Sequence, residues 1–147
     1  MKKLILTVGL PRSGKSTWAA KQGHPVVNRD SIRLAVHGDN CSPRAEPLIT
    51  YLEDLMVESL FLAGHDTVII DACHITLARR ERWYNFSLVD SSDVSFEVFT
   101  TELDECICRA YESKRDYLIP VIIKMAKQWD VPGYKYIYFP GGGGGAK

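Results

Sequence analysis

The 147-residue chain carries no excess of either charge, few cysteines and no long apolar run. Eighteen Lys and Arg face eighteen Asp and Glu, for a formal net charge of zero and a pI near 6.9. A global basic field is therefore missing, and any polyanionic partner has to be held by a local patch. No apolar stretch approaches the ~20 residues that span a bilayer, so no membrane association is expected. The N-terminus enters a strand at once, which reads as the absence of a signal peptide. The four cysteines (Cys41, Cys73, Cys106 and Cys108) form no C-x-x-C pair. Cys106 and Cys108, two apart, would face different sides of a helix. Cys73 beside His74 offers two metal-ligand types, but reduced cytosolic thiols are the plainer reading, and a cytoplasmic location follows. Internal repeats are also missing. With 46% hydrophobic and 24% charged residues, the composition is that of an ordinary globular domain, long enough for one core.

Against this plain background one octapeptide stands out. Gly9-Leu10-Pro11-Arg12-Ser13-Gly14-Lys15-Ser16 spells G-x-x-x-x-G-K-[ST], directly after the apolar run Leu4 to Val8. A strand delivers the chain to a glycine turn, and Lys15 opens a helix. Backbone N–H groups of such a loop point inward and cradle phosphate oxygens, and the helix N-terminus adds about half a positive charge. Lys15 reaches β- and γ-phosphates, and the Ser16 hydroxyl suits Mg²⁺. The expected cofactors are ATP and Mg²⁺. The residues expected around them are Gly9, Pro11, Arg12, Ser13, Gly14, Lys15, Ser16 and Thr17.

The remaining pattern alternates strand and helix, predicting a parallel α/β sheet flanked by helices. Strands are expected at 4–8, 24–28, 67–71, 94–99 and 134–139. Helices are expected at 14–21, from Asp30 as cap to 37, from Pro47 onward, and at 77–88, 103–111 and 120–128. Leu48, Leu52, Leu55, Met56 and Leu60 recur at helical spacing and read as core. Trp18, Trp83 and Trp129 read as core or interface aromatics rather than base-stacking platforms. Residues 1–140 form one domain, and the glycine-rich tail 141–147 is expected to be disordered.

Ligands of open parallel sheets bind at the carboxyl ends of the strands. Three polar groups fall there: the phosphate loop, Asn28-Arg29-Asp30, and Asp71. Asp30 suits a general base for an acceptor hydroxyl, and Arg33, in the same helical turn, suits an anionic acceptor. Both also read as an ordinary helix cap and a surface charge. Asp71, ending an apolar run, suits either a Mg²⁺-linked acid or a strand-terminal turn. His74 reads as a substrate contact or as a loop histidine without a role. Arg109, Lys114 and Arg115 flank a helix break; they suit a closing basic segment or a solvated turn.

These residues resemble the kinase domain of phage-type polynucleotide kinases. The likeness runs through the phosphate loop and Ser16-Thr17-Trp18. It continues in Asn28-Arg29-Asp30-Ser31-Ile32-Arg33, Ile69-Ile70-Asp71, Arg79-Arg80 with Trp83, and the late Arg-rich segment with Ile119-Pro120 and Met125. It covers residues 1 to about 132. The resemblance implies a P-loop NTPase fold of the adenylate-kinase-like kind with a small lid. It also implies ATP-dependent phosphorylation of a 5′-hydroxyl end of DNA or RNA, in the host cytoplasm if the protein is phage-encoded. Carried over, Lys15 and Ser16 bind donor phosphates and Mg²⁺. Asp30 is the base, and Arg33 grips the 3′-phosphate of the terminal nucleotide. A late arginine stabilises the transferring group, with Arg115 favoured and Arg109 or Lys114 as alternatives; Arg109 is also expected beside the nucleotide. The chain departs from the family at Arg12, where a small glycine is usual, and at Asp71-Ala72-Cys73, where the family has Asp-Thr-Asn. Both departures bear on acceptor specificity. A kinase of a nucleoside or other small hydroxyl compound is the first alternative. An ATP-binding or ATP-hydrolysing module without an acceptor is the second.

Overall fold

A computed structural model describes residues 1–39 and 44–134. Four strands alternate with six helices: β1 Lys3–Val8, α1 Lys15–Ala20, β2 Val26–Asn28, α2 Arg29–His37, α3 Glu46–Leu62, β3 Thr67–Asp71, α4 Leu77–Tyr84, β4 Val94–Val98, α5 Leu103–Glu112 and α6 Ile119–Lys127. The strands form one all-parallel sheet in the order β2-β3-β1-β4. The chain leaves β1 towards β2 on one side and later crosses from β3 to β4 on the other. The resulting crevice at the carboxyl ends of β1 and β3 is where an open α/β sheet takes its ligand. The expected strand at 134–139 and the tail 141–147 lie outside the described residues apart from Tyr134, which makes a single antiparallel bridge to Val131. No helix among the described residues is long and apolar enough to cross a membrane.

β3 is buried at all five positions, as a central parallel strand covered on both faces should be. One apolar cluster joins Leu4 and Leu6 to Val68 and Ile70 under α2, α3 and Trp83. A second joins Leu10 to Leu103, Cys106 and Ala110 of α5 and Ile122 and Ala126 of α6. Trp83 is fully buried and Trp129 packs on the second cluster, in line with their expected role as core aromatics. The expected core face of α3 needs correction. Its buried positions are Ile49, Glu53, Val57 and Phe61, whereas Leu48, Leu55 and Met56 are exposed. The true stripe runs at i, i+4, i+8 and i+12 with a carboxylate in its middle, and that carboxylate hid it. Helix α4 stops at Tyr84, short of the expected 88, because Asn85 and Phe86 turn back onto Glu81 and Trp83.

Candidate active site

The phosphate loop is built by close approach and unusual backbone. A Cβ at Gly9 would sit 2.7 Å from the Ser13 hydroxyl and 3.0 Å from Phe99 Cβ, so only glycine fits. Gly14, at φ 101°, is the left-handed residue that opens α1. Arg12 is also left-handed, at φ 67°, which explains why a glycine is usual there. Its side chain lines the cleft, and its Nε is buried without a partner. Lys15, 7% exposed, lies folded over the loop, donating to the Leu10 carbonyl.

Around this loop opens a cleft of about 880 Å³. It is lined on the loop side by Pro11, Arg12, Gly14, Lys15, Ser16 and Thr17, and on the far side by Asn28, Arg29, Asp30 and Arg33. Asp71, His74 and Arg115 also face it. Gly9 and Ser13 of the loop are buried and do not line the cleft; the Ser13 carbonyl accepts from Thr101 Oγ1 at 2.8 Å. Most of the expected site residues thus share one cavity.

Register brings the strand ends together. Asn28 pairs with Asp71 across β2 and β3. The Asn28 amide donates to Asp71 Oδ2 at 2.9 Å while its Oδ1 accepts from Ser31 N at 2.9 Å. Asn28, and not Asp30, is therefore the cap of α2. Asp30, one step inside the helix, keeps its carboxylate largely in the cleft, 65% exposed, with Arg33 Nη1 donating to it at 2.8 Å. Asp71 is 4% exposed; Ser16 Oγ donates to its Oδ2 at 2.6 Å and Thr7 Oγ1 to its Oδ1 at 3.2 Å. A hydroxyl and a carboxylate in contact at the helix N-terminus form the hard oxygen pair that Mg²⁺ takes when phosphates supply the rest of its shell. Among the described residues no cluster of three or more His, Cys, Asp or Glu suits a metal, so the Cys73–His74 pair does not extend into a metal site.

His74 is buried, in a left-handed backbone at φ 46°. Its Nδ1 is 2.8 Å from the Thr7 carbonyl and therefore carries the proton. Burial pushes its pKa down from 6.5 to about 4, the Thr7 bond opposes this, and Arg82, Arg79 and Lys15 add to the depression. The ring is neutral at pH 7.

The late basic residues separate cleanly. Arg109 pairs with Glu105 and donates to the Arg12 carbonyl at 3.2 Å, bracing the loop, and does not line the cleft. Lys114 is also outside the cleft lining. It sits at φ 58° and ends α5 in a turn closed by Lys114 N to Tyr111 O and Arg115 N to Ala110 O. That turn redirects the chain, and Arg115 reaches the cleft.

A polar network of Glu46, Glu53, Arg29 and Arg82 lies beside these residues. Glu53, 1% exposed, accepts from Arg29 at 3.0 Å and Arg82 at 2.7 Å through one oxygen; its other oxygen has no partner. Arg82 also pairs with Asp54 and lies 4.3 Å above the Trp83 ring. Glu46 holds Arg33 and stands 3.6 Å from Arg29. Glu46, Thr50 and Glu53 recur at i, i+4 and i+7, a polar line on an apolar helix, and that spacing was the available signal. Arg79 lines the cleft, whereas Arg80 is structural, donating to the His74 and Asp130 carbonyls.

A parallel sheet with a phosphate-loop sequence after its first strand, and a cleft at its switch point, defines a P-loop kinase-type domain. A family model described as an AAA domain matches residues 4–118, and the chain belongs to that family. Two solved structures of the Pnkp1/Rnl/Hen1 complex, one described as an RNA repair complex, contain similar chains. One is 27% identical with a TM-score of 0.63, covering 88% of this chain and 46% of that one. The other is 35% identical with a TM-score of 0.63, covering 74% and 38%. The chain thus spans less than half the length of both. A gluconokinase from Sinorhizobium meliloti 1021 shares the fold at 14% identity and a TM-score of 0.55, covering 89% of this chain and 77% of that one. The family match and the likeness to the chains of the Pnkp1/Rnl/Hen1 complex agree with the polynucleotide-kinase-type domain expected from the sequence.

Proposed function

We propose that the chain transfers the γ-phosphoryl group of ATP to the 5′-hydroxyl end of a polynucleotide, DNA or RNA. The observation that carries this reading is the pair Asp30 and Arg33, set in one turn of α2 across the cleft from the phosphate loop. A motor or a simple ATPase has no need of a carboxylate and a guanidinium there. Asp30 accepts the proton of the 5′-hydroxyl as its oxygen bonds to the γ-phosphorus, the β–γ bridging bond breaks, and ADP leaves. Arg33 binds the 3′-phosphate of the terminal nucleotide. Lys15 and the loop N–H groups hold the donor phosphates, and Arg115 stabilises charge on the group in flight. Ser16 and Asp71 would hold Mg²⁺, which would supply positive charge to the donor phosphates.

The test is transfer of labelled γ-phosphate from ATP to a 5′-hydroxyl oligonucleotide. Asp30→Ala should reduce transfer by about 10²–10⁴-fold, the usual weight of a general base, with ATP binding retained. Activity surviving in Asp30→Ala removes the base assignment, and a wild-type chain inert towards oligonucleotides removes the substrate assignment. A second reading, a kinase of a nucleoside or other small hydroxyl compound, is favoured by the neutralised acceptor side. Arg29, Arg33 and Arg82 each already hold a carboxylate. Transfer to a small hydroxyl compound together with indifference to both an oligonucleotide and a nucleoside 3′-monophosphate would support it.

A further inference from the structure

Arg33 is the side chain proposed to grip the acceptor's phosphate, yet its fork is occupied. Its Nε donates to Glu46 Oε2 at 3.1 Å, its Nη2 donates to Glu46 Oε1, and its Nη1 reaches Asp30 at 2.8 Å. The Nε/Nη2 edge is the one a guanidinium offers to phosphate as well as to carboxylate. A phosphate cannot take it bidentately while Glu46 is there. Glu46 has somewhere else to go, because Arg29 Nη2 lies 3.6 Å from its Oε1. It is also placed to move: it is the first residue of α3, follows a left-handed Ala45 at φ 51°, and is 35% exposed.

We infer that Glu46 is a displaceable stand-in for the acceptor's phosphate. This inference rests on the reading that Arg33 binds that phosphate. With no acceptor present, Glu46 fills the Arg33 fork and holds the guanidinium beside Asp30. An arriving acceptor phosphate takes the Nε/Nη2 edge, and Glu46 shifts to Arg29. The device keeps a strong anion site closed to free phosphate and to the donor's own phosphates. Only an acceptor whose remaining contacts add to its phosphate opens it.

Steady-state transfer to adenosine 3′-monophosphate and to adenosine, in wild type, Glu46→Gln and Glu46→Ala, tests the idea. The amide of Gln cannot accept on both atoms, and Ala accepts on neither. The expected result is a preference for the 3′-phosphorylated acceptor, in kcat/KM, that rises about 5-fold in both variants, the factor of a partly exposed ion pair. Inhibition by inorganic phosphate against the acceptor should strengthen in parallel. If Glu46 merely props Arg33 in place, the preference falls instead, and that result, or an unchanged preference, overturns the inference. A wild-type arm is independent of how the variants fold: the Arg33 Nε–H resonance should shift with adenosine 3′-monophosphate and not with adenosine, and one that stays put overturns the inference. A wild-type chain that phosphorylates neither acceptor nor an oligonucleotide overturns the underlying reading too. Transfer with an unchanged or lowered preference removes only the role of Glu46.

Discussion

Asn28 and Asp30 show how two good capping residues, two positions apart, end up in different roles. Either side chain can accept from the free N–H groups of a helix start. Asn28 takes that position because β2 ends beside Asp71 in register, where its amide also finds an acceptor. Asp30 is thereby released into the cleft. The pattern Asn-Arg-Asp-x-x-Arg was legible in the sequence, but which member capped the helix depended on a neighbouring strand. His74 is a second case at this scale. Its ring is neutral when folded and takes a proton near pH 6.5 when unfolded, so the unfolded chain binds more protons between pH 6.5 and about 4. The stability it contributes is fully present above pH 6.5 and is lost as pH falls to about 4. Urea denaturation of wild type and His74→Asn across this window should show wild type losing up to about 3 kcal/mol relative to the variant. Asparagine tolerates the left-handed backbone and does not titrate. Parallel pH profiles for the two proteins would refute the assignment.

At the scale of elements, α3 and α5 show two different limits of local spacing. α3 is apolar nearly all round, so periodicity alone could not choose its buried face. The deciding residue was Glu53, which a hydrophobic pattern counts against burial and which is buried because Arg29 and Arg82 meet it. α5 was located correctly, but the basic residues after it could not be assigned from spacing. The turn at its end is the six-to-one and five-to-two hydrogen-bond pair that normally places glycine at the left-handed position. Here Lys114 occupies that position at φ 58°. Lys114→Gly should therefore stabilise the fold by about 1 kcal/mol, seen as a higher urea midpoint at unchanged slope. Arg115 leaves that turn towards the cleft, so the same variant tests whether the turn also aims the arginine. A stabilised protein with unaltered kcat is expected if the geometry is kept. A lower urea midpoint would mean that the lysine side chain contributes more than its backbone costs.

For the whole molecule, one buried carboxylate ties three helices on one face of the sheet. Glu53 of α3 bonds Arg29 of α2 and Arg82 of α4, and Arg29 also stands near Glu46, which holds Arg33. Removing the central charge leaves two half-buried guanidinium groups short of a partner. Glu53→Gln should cost about 2 kcal/mol, less than the ~3–5 of a fully buried pair because both arginines keep some solvent. Its KM for acceptor should rise more than its KM for ATP, since the network stands on the side of the cleft proposed for the acceptor. An equal rise in both would place the damage in the sheet as a whole. By itself the sequence determined the phosphate loop, the order of the elements and most of the residues that line the cleft, because these are written in local spacing: a glycine turn after an apolar run, a carboxylate and an arginine three apart. The tertiary structure alone decided that Asn28 caps α2, that Glu53 lies in the core, that Arg115 reaches the cleft while Arg109 braces the loop, and that Glu46 fills the fork of Arg33. Each of these depends on a partner from another element, and the burial and charge that fix it exist only once the chain has folded.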